Sequence, residues 1–421
     1  MSQTCSARTM IKRISRSEEG KEFLSQRVAQ IQQVLLDNPD NGLAHASLSS
    51  FFHKLEKSKD ALKHLNKAQK CGILSNEFLW KEEILRRQVQ SEETRDMTDL
   101  SKCYQRMPDS KQVERRAAAD LSVSEFFFKY CLRQVPLVIT GGVDIMLQER
   151  WTLDLIKQVA GLKQVCLKHL VNDSMQWARL EQSTCTTVGK FIDSVCGQNA
   201  SCDYLFDWSL PLHCPELLSQ LVIPKYFAGD FLQRVAPGSL YRDSWPSLFI
   251  AANGVNSELH IDTFGSNFWM AMLQGKKRWT LFSPADKNFL YPDYDDSLDP
   301  VFQVDLRNPD LSAFPLLSLT HPQQCVLEPG DLLFVPSGCA HRVENLTLSL
   351  AISANFVDLS NFPLVKKELH YRSLVDPNAQ ELLHQFDDLN FPSKMFSKQT
   401  DLSWERFKKW PRHDYNVYDI T

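Results

Sequence analysis

Histidine at 260, aspartate at 262 and histidine at 341 are the residues of this sequence whose types and spacing could do chemistry. Alternate side chains of a strand share a face, so in "SELHIDTFGSNFW" His260 and Asp262 point together while Leu259 and Ile261 take the other side. The surrounding run is apolar, where an imidazole and a carboxylate are costly unless they pair with each other or hold a metal. A third ligand stands in "LEPGDLLFVPSGCAHRVENLTLSLAISANF", where His341 follows a strand, a Pro-Ser-Gly turn and the start of the next strand. Two histidines and a carboxylate make the facial triad of non-haem iron(II) chemistry, with three positions on the ion left open. Catalytic zinc uses the same donors but commonly presents them on a helix as HExxH, which this sequence lacks; the strand setting favours iron.

The segment "GKKRWTLF" adds a cation. Strand parity places Lys277 with Trp279 and Leu281 on the apolar side, and Arg278 and Thr280 opposite. Lysine is seldom buried without a partner, so an inward Lys277 asks for an anion. The alternative is a lysine lying along the barrel rim with its ammonium in water. Ser349, Ala351, Ser353 and Asn355 alternate with Leu350, Ile352 and Phe356, giving a small, polar face suited to a cavity wall.

Elements of two kinds must position these groups. Residues 1–100 read as helical: Leu48, Phe52, Leu55, Leu62 and Leu65 recur at the spacing of one apolar helix face. Gly42 to Gly72 resembles a single tetratricopeptide hairpin with Leu48, Ser49, Phe52, Ala61, Leu65 and Ala68 as packed positions, or equally one part of a small helical bundle. Residues 101–121 are charged, without periodicity, and read as a linker. From 122 to 365 short apolar strands alternate with turns such as "EPGD" and "PSG", predicting a mainly β, α+β jelly roll or barrel. Residues 366–421 return to helical and irregular sequence.

Composition bounds the function. A formal charge of −4 gives no broad basic footprint for nucleic acid, and no run is long and apolar enough for a membrane span. Eleven cysteines without a CxxC predict reduced thiols in an intracellular protein of the cytoplasm or nucleus. The first residues, free of acids until Glu18, have a composition shared by mitochondrial presequences and frayed termini.

On His260-x-Asp262, "QGKKRWTLF", "EPGDLLFVPSG", His341 and "SANF" running into "NFP", residues 122–365 resemble the JmjC family, and within it the small protein-hydroxylase branch. The resemblance implies a cupin-type jelly roll (a double-stranded β-helix) that uses iron(II), 2-oxoglutarate and oxygen. It implies His260, Asp262 and His341 as metal ligands and Lys277 as the cosubstrate's lysine. Ser257 matches a hydroxyl position for the cosubstrate, and Asn267 the family asparagine, provided a bulge absorbs one extra residue before Lys277. Asn355 falls on the cavity-wall face. Cys339 and Ala340 replace bulky aromatics, which implies room beside the iron, and Met270 replaces an asparagine. The activity implied is hydroxylation of a protein side chain. N-methyl lysine or arginine demethylation and hydroxylation of a modified tRNA base are alternatives within the family, the last disfavoured by the acidic balance. An inactive interaction scaffold is the reading from another class; intact ligands and Lys277 argue against it.

Overall fold

The computed structural model describes residues 7–388 apart from 145, 148, 198–201 and 237. The sequence reading of 389–421 lies outside these described residues. Five helices come first: α1 (Ala7–Arg16), α2 (Glu18–Asp37), α3 (Gly42–Lys54), α4 (Ser58–Lys70) and α5 (Asn76–Asp96). Ser17, Asn41 and Ser75 start α2, α3 and α5 by accepting a hydrogen bond from a first-turn N–H. In the α3–α4 hairpin Leu48, Ser49, Phe52, Ala61, Leu65 and Ala68 are all buried. The helical layer lies against the β domain: Ile84 packs on Tyr294 and Leu298, and Arg87 donates to both carboxylate oxygens of Glu368 at 3.1 and 2.8 Å. Residues 7–16 are not frayed; α1 docks with Thr9, Lys12 and Ser15 buried.

The strands in the first half of the fold are β1 (Lys111–Gln112), β2 (Glu114–Ala117), β3 (Leu137–Thr140), β4 (Gln164–Leu170), β5 (Leu180–Thr187), β6 (Tyr204–Ser209), β7 (Ser247–Ala251) and β8 (Asn256–His260). The second half adds β9 (Asn267–Gln274), β10 (Lys277–Phe282), β11 (Pro292–Asp293), β12 (Val301–Phe302), β13 (Gln323–Leu327), β14 (Leu332–Val335), β15 (Ala340–Asn345) and β16 (Ser349–Phe356). Two sheets form the jelly roll, ordered β1-β13-β10-β15-β8 and β2-β3-β14-β9-β16-β7-β6-β4-β5. Trp279, Leu281 and Leu327 of the smaller sheet and Trp269, Met272 and Ile352 of the larger belong to one buried core.

Two expectations are corrected. Residues 101–121 are not merely a linker, because β1 pairs in parallel with β13 and β2 with β3, extending both sheets. Arg115 anchors this segment on both carboxylate oxygens of Asp331 at 2.7 Å. The cysteines are not all reduced: Cys166 on β4 and Cys185 on β5 are direct cross-strand partners and form a disulfide.

Candidate metal and cosubstrate site

His260 ends β8 and His341 sits opposite it on β15, their ring centroids 4.2 Å apart. The Nδ1 of His260 lies 2.6 Å from the carbonyl of Glu258, and that of His341 3.0 Å from the carbonyl of Cys339. A carbonyl can only accept, so both rings carry their proton on Nδ1 and keep the Nε2 lone pair for a ligand. Burial holds both imidazoles neutral, His341 at about 4 and His260 well below its ordinary value, the latter helped by His341. Neutral imidazole is the form that binds a metal.

Beyond β8 the extended backbone carries Asp262 to the same side as His260, and one donor atom each from His260, Asp262 and His341 fall within 4.8 Å of one another. The chain then turns sharply: Phe264 takes φ 46° and is held against Tyr241 at 4.2 Å, with Gly265 at φ 73° following. Such left-handed residues persist only where their surroundings over-determine them. Burial, and then the neighbouring Asp207, push the Asp262 carboxyl up to about 7, while a hydrogen bond from Asn355 opposes the shift. A divalent cation would reverse that balance by favouring the carboxylate.

A small cavity of about 40 Å³ lies at the triad between the sheets. Ser257 lines it together with His260, although strict alternation would oppose them. The reason is a bulge: His341 pairs with His260 and Val343 with Ser257, so Glu258 and Leu259 face the single residue Arg342. Glu258 is buried with Arg342 at 3.0 Å, which fixes the bulge. Met270 and Asn355 also line the cavity.

Lys277 is fully buried on the same face of β10 as Trp279, and its Nζ donates to the Tyr204 hydroxyl at 2.8 Å. Among the described residues no carboxylate pairs with it, and burial lowers its pKa to about 7. Lys276 is exposed and paired with Glu328. Tyr204, which lines the cavity, thus links the buried ammonium to it.

Asn267 is not brought to the cavity. Phe268 and Met270 face inward on β9, which turns Asn267 away; its Oδ1 accepts from Ser337 N at 2.9 Å and its Nδ2 donates to Ser360 Oγ at 3.1 Å. Neither Cys339 nor Ala340 lines the cavity. Ala340 packs with Leu259, Phe282 and Leu317 on the far side of the smaller sheet, and Cys339 is buried in the main core.

Sequence reasoning missed Tyr204, Phe206, Asp207 and Trp177, which all line the cavity. Tyr204 and Phe206 alternate on β6, and that aromatic parity in "DYLFDW" was a usable signal. Asp207, at φ 55° on a β6 irregularity, accepts from Trp245 Nε1 at 3.1 Å, and burial of its carboxyl raises its pKa. Trp177 comes from a loop, edge-on to His260 at 4.3 Å, and its Nε1 donates to Ile261 O at 2.8 Å.

Residues 123–362 match the cupin-like domain family. Lysine-specific demethylase 8 of Xenopus tropicalis is 29% identical over 236 residues, 55% of this chain and 50% of that protein. An arginine-specific demethylase of Arabidopsis thaliana is 26% identical over 280 residues, 60% of this chain and 59% of that protein. A 2-oxoglutarate and iron-dependent oxygenase of Gallus gallus is 29% identical over 165 residues, 39% and 38% of the two chains. The chain spans about half the length of the first relatives it matches.

Proposed function

The chain belongs to the cupin-like JmjC family, and from that membership we propose that it is an iron(II)- and 2-oxoglutarate-dependent oxygenase that hydroxylates a protein side chain. The observation that carries the reading is Lys277: a fully buried ammonium whose partner among the described residues is a neutral hydroxyl, in the same fold interior as a His-Asp-His set. Buried charge of this kind wants an anion, and a dicarboxylate chelating the metal at one end presents one at the other. Iron(II) with 2-oxoglutarate and oxygen supplies an oxidant for an unactivated C–H bond.

The chain's own residues do the rest. His260, Asp262 and His341 hold the metal, Asn355 orients the Asp262 carboxylate, and Lys277 with Tyr204 anchors the distal carboxylate. Trp177, Phe206 and Phe249 wall the cavity and keep stray water from the reacting centre. A protein target is supported by relatives that are named for lysine- and arginine-specific demethylation. Hydroxylation is favoured over demethylation by what surrounds the jelly roll, a helical layer rather than a cysteine-rich reader module or a long basic block.

The test is mass spectrometry of proteins trapped by a metal-free variant and then incubated with active protein, iron(II) and 2-oxoglutarate. Gain of one oxygen on an unmethylated side chain is expected. Loss of methyl groups without retained oxygen overturns hydroxylation in favour of demethylation, and no cosubstrate turnover with any target overturns the enzyme reading.

A further inference from the structure

We propose that α1 is a strap that seats Trp177 over His260, with the Thr9 hydroxyl as the positioning group; this rests on reading His260, Asp262 and His341 as a metal site. Trp177 touches the site twice, through its ring on His260 and through its N–H on the carbonyl of Ile261, the residue between two ligands. Yet it stands in a stretch between β4 and β5 where Ala178 and Arg179 take φ 54° and 55°. Non-glycine residues hold that conformation only when something outside the loop imposes it.

Arg179 donates to Phe302 O at 2.7 Å, and α1 holds the residues directly before Trp177. The Thr9 hydroxyl accepts from Met175 N at 3.0 Å and donates to Glu181 Oε1 at 2.8 Å. The same carboxylate oxygen accepts from Ser174 Oγ at 2.6 Å, and Ser174 Oγ accepts from Gln176 N at 3.0 Å. Arg13 pairs with Asp173. Three consecutive residues, 173–175, are therefore tied to α1 or to the carboxylate it shares, and Gln176 is tied to Ser174, directly before Trp177.

The helix is docked the unusual way round. Met10, Ile11 and Ile14 face solvent at 52%, 51% and 60% exposure, while Thr9, Lys12 and Ser15 are buried. Apolar burial does not hold it. Lys12 lies 3.4 and 3.6 Å from Asp293 and Asp295, and Arg16 lies 3.0 Å from Asp293. A helix held by its polar face depends on each polar contact, and removing one partner of a buried hydrogen bond strands the other.

Fluorine NMR of the full chain labelled with fluorotryptophan, with and without cobalt(II), separates the strap from the metal site. Two of the nine tryptophans serve, assigned by Trp177→Phe and Trp279→Phe. Trp279 lies 5.3 Å from His341 on β10, away from the loop, and reports the metal alone. Cobalt should shift both resonances in the parent protein and in Thr9→Ser, which keeps the hydroxyl. In Thr9→Val the Trp279 shift should persist and most of the Trp177 shift should be lost. A full Trp177 shift in Thr9→Val, or Thr9→Ser behaving as Thr9→Val, overturns the strap. No cobalt shift at Trp279 in the parent overturns the metal site, and the inference with it.

Discussion

Lys277→Met separates the proposed cosubstrate role from a structural one, because the two predict opposite effects on stability. Burial takes the ammonium from its ordinary 10.5 to about 7, which corresponds to about 5 kcal/mol against the charged form in the empty site. Methionine keeps the stem and removes that cost, so the empty protein should be as stable as the parent or more so. Because the folded value lies below the unfolded one, the unfolded chain binds more protons between about pH 7 and 10.5. The parent should gain stability from this group as pH rises through that window, and the variant should lack the gain. Binding should move the other way. Removing one partner of a buried ion pair costs ~3–5 kcal/mol, so Kd for 2-oxoglutarate should rise by roughly two to four decades. In the parent, anion binding must recharge Lys277. Its Kd should be flat below about pH 7 and weaken up to about tenfold per pH unit above it, a slope the variant loses. Calorimetric titration of the manganese(II)-loaded protein from pH 6 to 9 reads both effects. A variant that binds within about threefold of the parent, less than the ~1.4 kcal/mol of a single decade, would refute the reasoning.

Three further outcomes follow from the same geometry. Iron(II) or manganese(II) at a thousandfold excess over Kd should stabilise the parent by about 4 kcal/mol, read as a rise in Tm that a chelator reverses. His260→Ala with Asp262→Ala should fold and show no rise; a rise there would overturn the ligand set. Lys276→Ala breaks only an exposed pair with Glu328 and should change stability by at most ~1 kcal/mol, with 2-oxoglutarate affinity unchanged. Greater harm to that affinity than from Lys277→Met would reverse the facing of β10. Glu258→Gln takes one of two carboxylates from the buried Arg342, leaving Glu344 at 3.1 Å, and should cost ~1.5–3 kcal/mol, seen as a lower denaturant midpoint. An unchanged midpoint would show that the pair does not hold the β8 bulge.

Period-two alternation was enough to turn Lys277 inward and Lys276 outward, and to put His260 and Asp262 on one side, because these are local properties of a strand. Ser257 was not legible that way, since only the pairing of two residues with Arg342 brings it round to His260. Asn267 shows the reverse: the family resemblance pointed to it, whereas the inward parity of Phe268 and Met270 already excluded it. Residues 111–117 escaped notice because two- and four-residue edge strands rich in charge carry no alternation to detect. The Cys166–Cys185 bond depends on the register of β4 against β5, and Trp177 on contacts with a helix more than 160 residues earlier. Neither is encoded within a short window.

The clasp formed by β1 and β2 has a consequence for how the chain assembles as it is made. β2 finds β3 almost at once, but the partner of β1 is β13, more than 200 residues further on. Closing so long a loop delays that contact until most of the jelly roll has been synthesised. In the interval the segment between α5 and the first core strands has one neighbour fixed and one edge open, and an unpaired edge is a template for another chain. Lys111 lies on that open strand, and Glu114, Arg115 and Arg116 lie on β2, itself the edge strand of the larger sheet. Charge on an edge strand disfavours pairing with another chain, and Arg115 closes on Asp331 next to β14.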